Sequence, residues 1–146
     1  MATKIFVNLP VKDLNKSMNF FKSLGFSFNP QFTDETAACM VIAEDIYAML
    51  LTHAKFREFT KREIADAGET TEVLTCLSFD SKEKVDEVAD NAVKAGATEA
   101  GDVRDYGFMY SRSFHDPDGH IWEMVWMDPE SAAEGTNVAA EDTQVQ

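Results

Sequence analysis

The segment IFVNLPVKDLNKSMNFFKSLGF, residues 5–26, decides the fold, because its pattern occurs twice in the chain. Its first part alternates: Ile5, Val7, Leu9 and Val11 point one way, while Phe6, Asn8 and Pro10 point the other, as in a strand with one covered face. Leu14, Met18 and Phe21 then recur at helical spacing, with Asp13 able to cap the start and Gly25 suited to the left-handed residue that ends a helix. Three strands are expected next, near residues 26–33, 37–43 and 46–52. The series then returns. EVLTCLSF, residues 72–79, reads as a strand, and Asp80 with Glu83 reads as a capping box. Val85, Val88, Ala89, Ala92 and Val93 trace one helical face that Gly96 stops, and strands follow near residues 98–103, 107–114 and 121–127. The strand ends Val11 and Phe79 lie 68 residues apart, and the two helix-stopping glycines lie 71 apart.

This repeat predicts an α+β fold of two tandem βαβββ modules, about residues 1–54 and 70–128, within a single domain spanning residues 1–128. Curved mixed sheets would carry their helices outside and enclose a cleft with their inner faces. Residues 129–146 hold four acids and no Lys or Arg, and read as an acidic flexible tail. In the connector, residues 55–69, Thr60 and Glu63 form another capping box and predict a short helix near residues 61–67. Lys55, Arg57, Lys61 and Arg62 against Glu58 make it a basic island. It is either a solvated connection packed on Phe56 and Phe59, or a lid that draws in an anionic ligand.

A net charge of −13 argues against nucleic acid and anionic membranes as partners. No apolar run approaches the roughly 18 residues of a membrane span, and the N-terminus lacks the long apolar stretch of a secretory signal, so a cytoplasmic location is expected. Cys39 and Cys76 sit in apolar strand-like stretches and read as small core residues; if Cys76 faces inward, nothing basic near it in sequence suggests a lowered pKa.

The turn Asp116-Pro117-Asp118-Gly119 centres a hairpin whose second strand holds one carboxylate, Glu123, among apolar residues. A loop symmetric about Pro117 and Asp118 puts Arg112 opposite Glu123 on one face. The two then form a cross-strand ion pair, or Glu123 acts as a general base while Arg112 holds an anionic substrate. Trp122, Met124 and Trp126 point towards the helices. Asn8 shares the inner face with Phe6 and can line the cleft, and Tyr106, Phe108 and Tyr110 supply aromatic walls or sheet packing. His115 and His120 are expected to be exposed, and His53 ends a strand near the connector.

The doubled unit, NLPVKDLNKSMNFFKSLGF near the start and DPDGHIWEMVWMDP near the end resemble the vicinal oxygen chelate superfamily, over about residues 3–128. That superfamily includes glyoxalase I, extradiol dioxygenases, and the bleomycin and fosfomycin resistance proteins; within it the chain looks most like bacterial proteins described as predicted lactoylglutathione lyases. The resemblance implies four inward-facing metal-ligand positions. In this chain they fall on Phe6, near Leu50, near Leu74, and on Glu123, so one donor position of four is retained. Zn, Ni or Mn needs three or four converging donors, so no cofactor is expected and a divalent metal is disfavoured. The resemblance implies a glyoxalase-like protein acting on a small carbonyl-bearing or anionic metabolite, or a metal-free protein that sequesters a small molecule. Glu123 would be catalytic, with Arg112, Asn8, Phe6, Leu50, Leu74 and Tyr110 binding substrate. A homodimer is implied as well.

Overall fold

The computed structural model describes residues 3–130. The first module runs β1 (Ile5–Val11), α1 (Leu14–Ser23), β2 (Ser27–Asn29), β3 (Ala37–Ala43) and β4 (Ile46–Thr52). A short helix, α2 (His53–Phe56), opens the connector. The second module runs β5 (Leu74–Ser78), α3 (Lys82–Lys94), β6 (Thr98–Glu99), β7 (Arg104–Asp105), β8 (Met109–His115) and β9 (Ile121–Met127). One sheet has the order β1-β4-β3-β2; the other has β5-β9-β8-β6, with β7 also paired to β8. In each, the first and last strands of the module lie parallel, β1 beside β4 and β5 beside β9, and the remaining pairs are antiparallel. The expected tandem modules are therefore present. Among the described residues no helix is long and apolar enough to cross a membrane. The expected tail lies almost wholly outside the described residues.

Local chemistry explains where the elements differ from their expected spans. The strand expected over 26–33 ends at Asn29, because Pro30 enters a 3-10 turn whose first amides Asn29 caps through Gln31 N. The strand expected over 98–103 is split. Thr98 pairs with His115 but Arg104 pairs with Ser111, so the register slips by two residues and 101–103 bulge out. Helix α3 is capped by Ser81, whose hydroxyl accepts Lys84 N at 3.1 Å, rather than by Asp80. No helix forms over residues 61–67. Thr60 Oγ1 accepts instead from Arg62 N, a local turn that competes with helix nucleation in so short a segment.

Both modules share one core. On α1 the buried residues are Leu14, Ser17, Phe20 and Phe21, with Met18 only partly buried. This face is rotated from the expected stripe because α1 packs against two sheets. Phe20 meets Phe114 edge-on at 5.6 Å, and Phe21 meets Trp122 at 5.1 Å, so the first module's helix lies on the outer face of the second sheet. Val85, Val88, Ala89 and Ala92 of α3 join the same cluster, while Val93 stays outside it.

The acidic turn is a staple between modules. Asp116 is buried and accepts from Asp118 N, His120 N and the Trp122 indole, each at 3.0 Å. Burial pushes its carboxyl above the ordinary value, although the His120 ring and the indole hydrogen bond pull the other way. Asp118 crosses to the first module, accepting from Lys12 N at 2.8 Å and from Ser17 Oγ at 3.3 Å. His120, expected to be exposed, is partly buried and donates from Nε2 to Pro10 O at 2.7 Å.

Candidate functional site

Strand register decides which side chains reach the inner faces. In the parallel pair β1–β4, Phe6 lies beside Tyr47, Asn8 beside Met49 and Pro10 beside Leu51, all on the face away from the helices. Phe6 is 48% exposed and stacks on Tyr47, with ring centroids 4.6 Å apart. Asn8 shares this face, its amide donating to Phe6 O at 3.3 Å. Leu50 does not. It pairs with Leu9, is 0% exposed and belongs to the core on the helix side. Its neighbours Met49 and Leu51 occupy the inward positions, a one-residue error that reverses the face.

In the second sheet, Leu74 (54% exposed) and Cys76 of β5 face inward beside Ile121 and Glu123 of β9. Across the hairpin, Ser113 stands opposite Glu123, and Arg112 stands opposite Met124. The expected Arg112–Glu123 pair is absent because the loop has five residues, Asp116 to His120, closed by Asp116 N donating to His120 O. Arg112 therefore points to the helices. Its side chain is 12% exposed and its two terminal nitrogens reach Asp86 at 3.1 Å, Asp90 at 2.9 Å and Glu99 at 2.7 Å. Burial alone would lower its pKa, but the hydrogen bonds it donates to Glu99, Asp90 and Asp86 outweigh this and raise it. Tyr110 lies on the same side, donating to Asp86 at 2.6 Å. That bond, with burial, pushes its phenol up to about 12. Neither Arg112 nor Tyr110 belongs to the inner face; both fasten sheet to helix.

Glu123 is left without a cation among the described residues. Among the described residues its carboxylate makes no ion pair and no side-chain hydrogen bond; beside it stand Cys76 on one strand and Ser113 on the other. Cys76 can be reached from solvent, yet desolvation on its sheet side, followed by the charge of Glu123, pushes its thiol above the ordinary value. Cys76 should therefore alkylate slowly near neutral pH. Glu123→Gln should shift its iodoacetamide pH–rate profile to lower pH, with buried Cys39 contributing little. Superimposable profiles for the two proteins would refute the electrostatic coupling.

The inner faces meet at a junction cavity of about 370 Å³, walled by Asn8, Pro10, Phe56, Ile64, Val73 and Ile121. Glu123 lies one inward position along β9 from Ile121. A metal does not fit this donor set. The inward positions offer one carboxylate, a thiol whose protonated form is favoured, and apolar groups, and no group of three or more His, Cys, Asp or Glu is gathered among the described residues. The five-residue loop was the feature sequence symmetry missed; the shared parity of Tyr110, Arg112 and Phe114 would have shown it once Phe114 was assigned to the core.

Residues 3–43 match the family model described as the bleomycin resistance protein-like N-terminal domain. Among curated proteins none matches the sequence. A hypothetical protein from S. aureus has a similar structure, with TM-score 0.72 and 27% identity over 86% of this chain and 95% of its own. A glyoxalase/bleomycin resistance protein/dioxygenase family enzyme from Burkholderia phytofirmans gives TM-score 0.73 at 18% identity, over 86% of this chain and 99% of its own. A fosfomycin resistance protein from Listeria monocytogenes gives TM-score 0.62 at 19% identity, over 86% and 91%.

Proposed function

From the premise that the chain belongs by fold to the glyoxalase/bleomycin resistance protein/dioxygenase (vicinal oxygen chelate) superfamily, we propose that it binds and sequesters a small, largely apolar molecule without using a metal. One observation carries this reading: the inner faces expose Phe6 and Leu74, with Ile121 partly covered, beside Glu123, whose carboxylate makes no ion pair among the described residues. A cavity of this size with mostly apolar walls suits a compact ligand. The free carboxylate favours a ligand with a hydrogen-bond donor or positive charge over the anionic metabolite first expected. A second copy pairing over the open inner faces would cover Phe6 and Leu74, so a homodimer belongs to the proposal. So does a cytoplasmic location, in keeping with two unpaired thiols.

The unpaired state of Glu123 also supports a second reading, a glyoxalase-like enzyme in which it serves as general base on a carbonyl-bearing metabolite. A thermal-shift screen of neutral and cationic small molecules, followed by turnover assays on the hits and on glutathione hemithioacetal, separates the two. Stabilisation without turnover, with cationic hits weakened about tenfold or more by Glu123→Gln, is the expected result. Turnover abolished by Glu123→Gln would replace sequestration with catalysis.

A further inference from the structure

A second cavity, of about 490 Å³, lies between the connector and the acidic staple, and Lys12, His53 and Arg57 line it. Its charges are unevenly committed. The lining also holds three carboxylates: Asp118 accepts from Lys12 N and Ser17 Oγ and Asp66 Oδ1 from Gly68 N, while Glu63 makes no ion pair among the described residues. The Lys12 ammonium and the Arg57 guanidinium make no ion pair among the described residues. Lys16, Lys22, Lys61, Lys94 and Arg62 make none there either, so it is their place in a walled cavity, not their lack of a partner, that sets Lys12 and Arg57 apart.

Both cationic stems are anchored. The Lys12 backbone amide is held by Asp118, and Arg57 N closes α2 by donating to His53 O. On the far side of connector residues 63–67, Arg62 lines the junction cavity, which shares Pro10, Ile64 and His120 with this one. The connector thus crosses a floor of Pro10 and His120 with cations on either flank. A concave site walled by protein strengthens the attraction of such cations for an anion beyond its value in bulk water. A guanidinium fork matches the two oxygens of a carboxylate or phosphate.

We propose that this cavity binds a small metabolite through its carboxylate or phosphate group, held by Arg57 and Lys12 with His53 beside them, at a site separate from Glu123. The test is an amide NMR titration of the full chain with inorganic phosphate and, separately, with succinate, each against sodium chloride at matched ionic strength. Saturable shifts centred on Lys12, Arg57 and residues 63–67 are expected, with affinity at least tenfold weaker in Arg57→Gln and in Lys12→Gln. Lys84→Gln, which removes a charge from α3, should leave affinity unchanged. The probe that binds more tightly identifies the preferred anionic group. Shifts no larger than those with chloride, or equal weakening by Lys84→Gln, would overturn the proposal. Preserved binding in Arg57→Gln would overturn it as well.

Discussion

Replacing Arg112 with methionine should lower the melting temperature by about 4–12 °C, although no ligand-facing group is touched. The guanidinium is mostly buried and joins β8 to two carboxylates on α3 and one on β6. Removing it leaves Asp86, Asp90 and Glu99 facing one another without a cation. Losing one member of a fully buried ion pair costs about 3–5 kcal/mol. These carboxylates are about half exposed, and solvent screening reduces the expected loss to about 1–3 kcal/mol. Arg112→Lys should recover less than half of it, since one ammonium cannot reproduce two nitrogens that serve three acceptors. Thermal unfolding by circular dichroism measures both variants. A melting temperature within 1 °C of wild type for Arg112→Met would show that the cluster contributes nothing net.

Gly119→Ala should cost about 2–4 kcal/mol, by a different mechanism. Gly119 adopts φ of +95°, a conformation unfavourable for any side chain, and a Cβ there would stand 2.8 Å from Ala67 O and 3.0 Å from Gly68 Cα. The clashing atoms are backbone, so they can yield only if the connector lifts from the staple. Urea unfolding should report the lost stability, and hydrogen exchange should show faster amides over residues 63–68. Gly101→Ala provides the contrast. Its Cβ would meet only Ser113 Oγ at 3.8 Å, an ordinary contact, and its stability should stay within about 0.5 kcal/mol of wild type. Unchanged exchange over 63–68 in Gly119→Ala would mean that the turn does not seat the connector.

The elements were legible in the sequence where burial imposes a strict period. Strands β3, β4 and β9 fall where alternation and turn residues place them, and Asp13 caps α1 through Lys16 N as its position suggests. Phe6, Asn8 and Glu123 lie on the inner faces as alternation predicts, because alternation within one strand fixes them relative to neighbours that must be covered. Arg112 and Leu50 lie on the opposite face to the one expected, because that expectation depends on counting across a loop or between modules, while Tyr110 takes its sheet-packing alternative. A one-residue miscount there is invisible in composition and turns the side chain through the sheet. The pairing of Asp118 with Lys12 and Ser17 had no local signature either, since its partners lie more than 100 residues away.

Helix α1 has a consequence for how the chain is made. Its two phenylalanines seat on a sheet whose last strand is among the final parts of the described chain to leave the ribosome. Until β9 emerges, Phe20 and Phe21 lack Trp122 and Phe114, and the nascent first module presents a greasy surface suited to chaperones. Folding is therefore dominated by distant partners, so it should be slow, and neither half is built to stand alone.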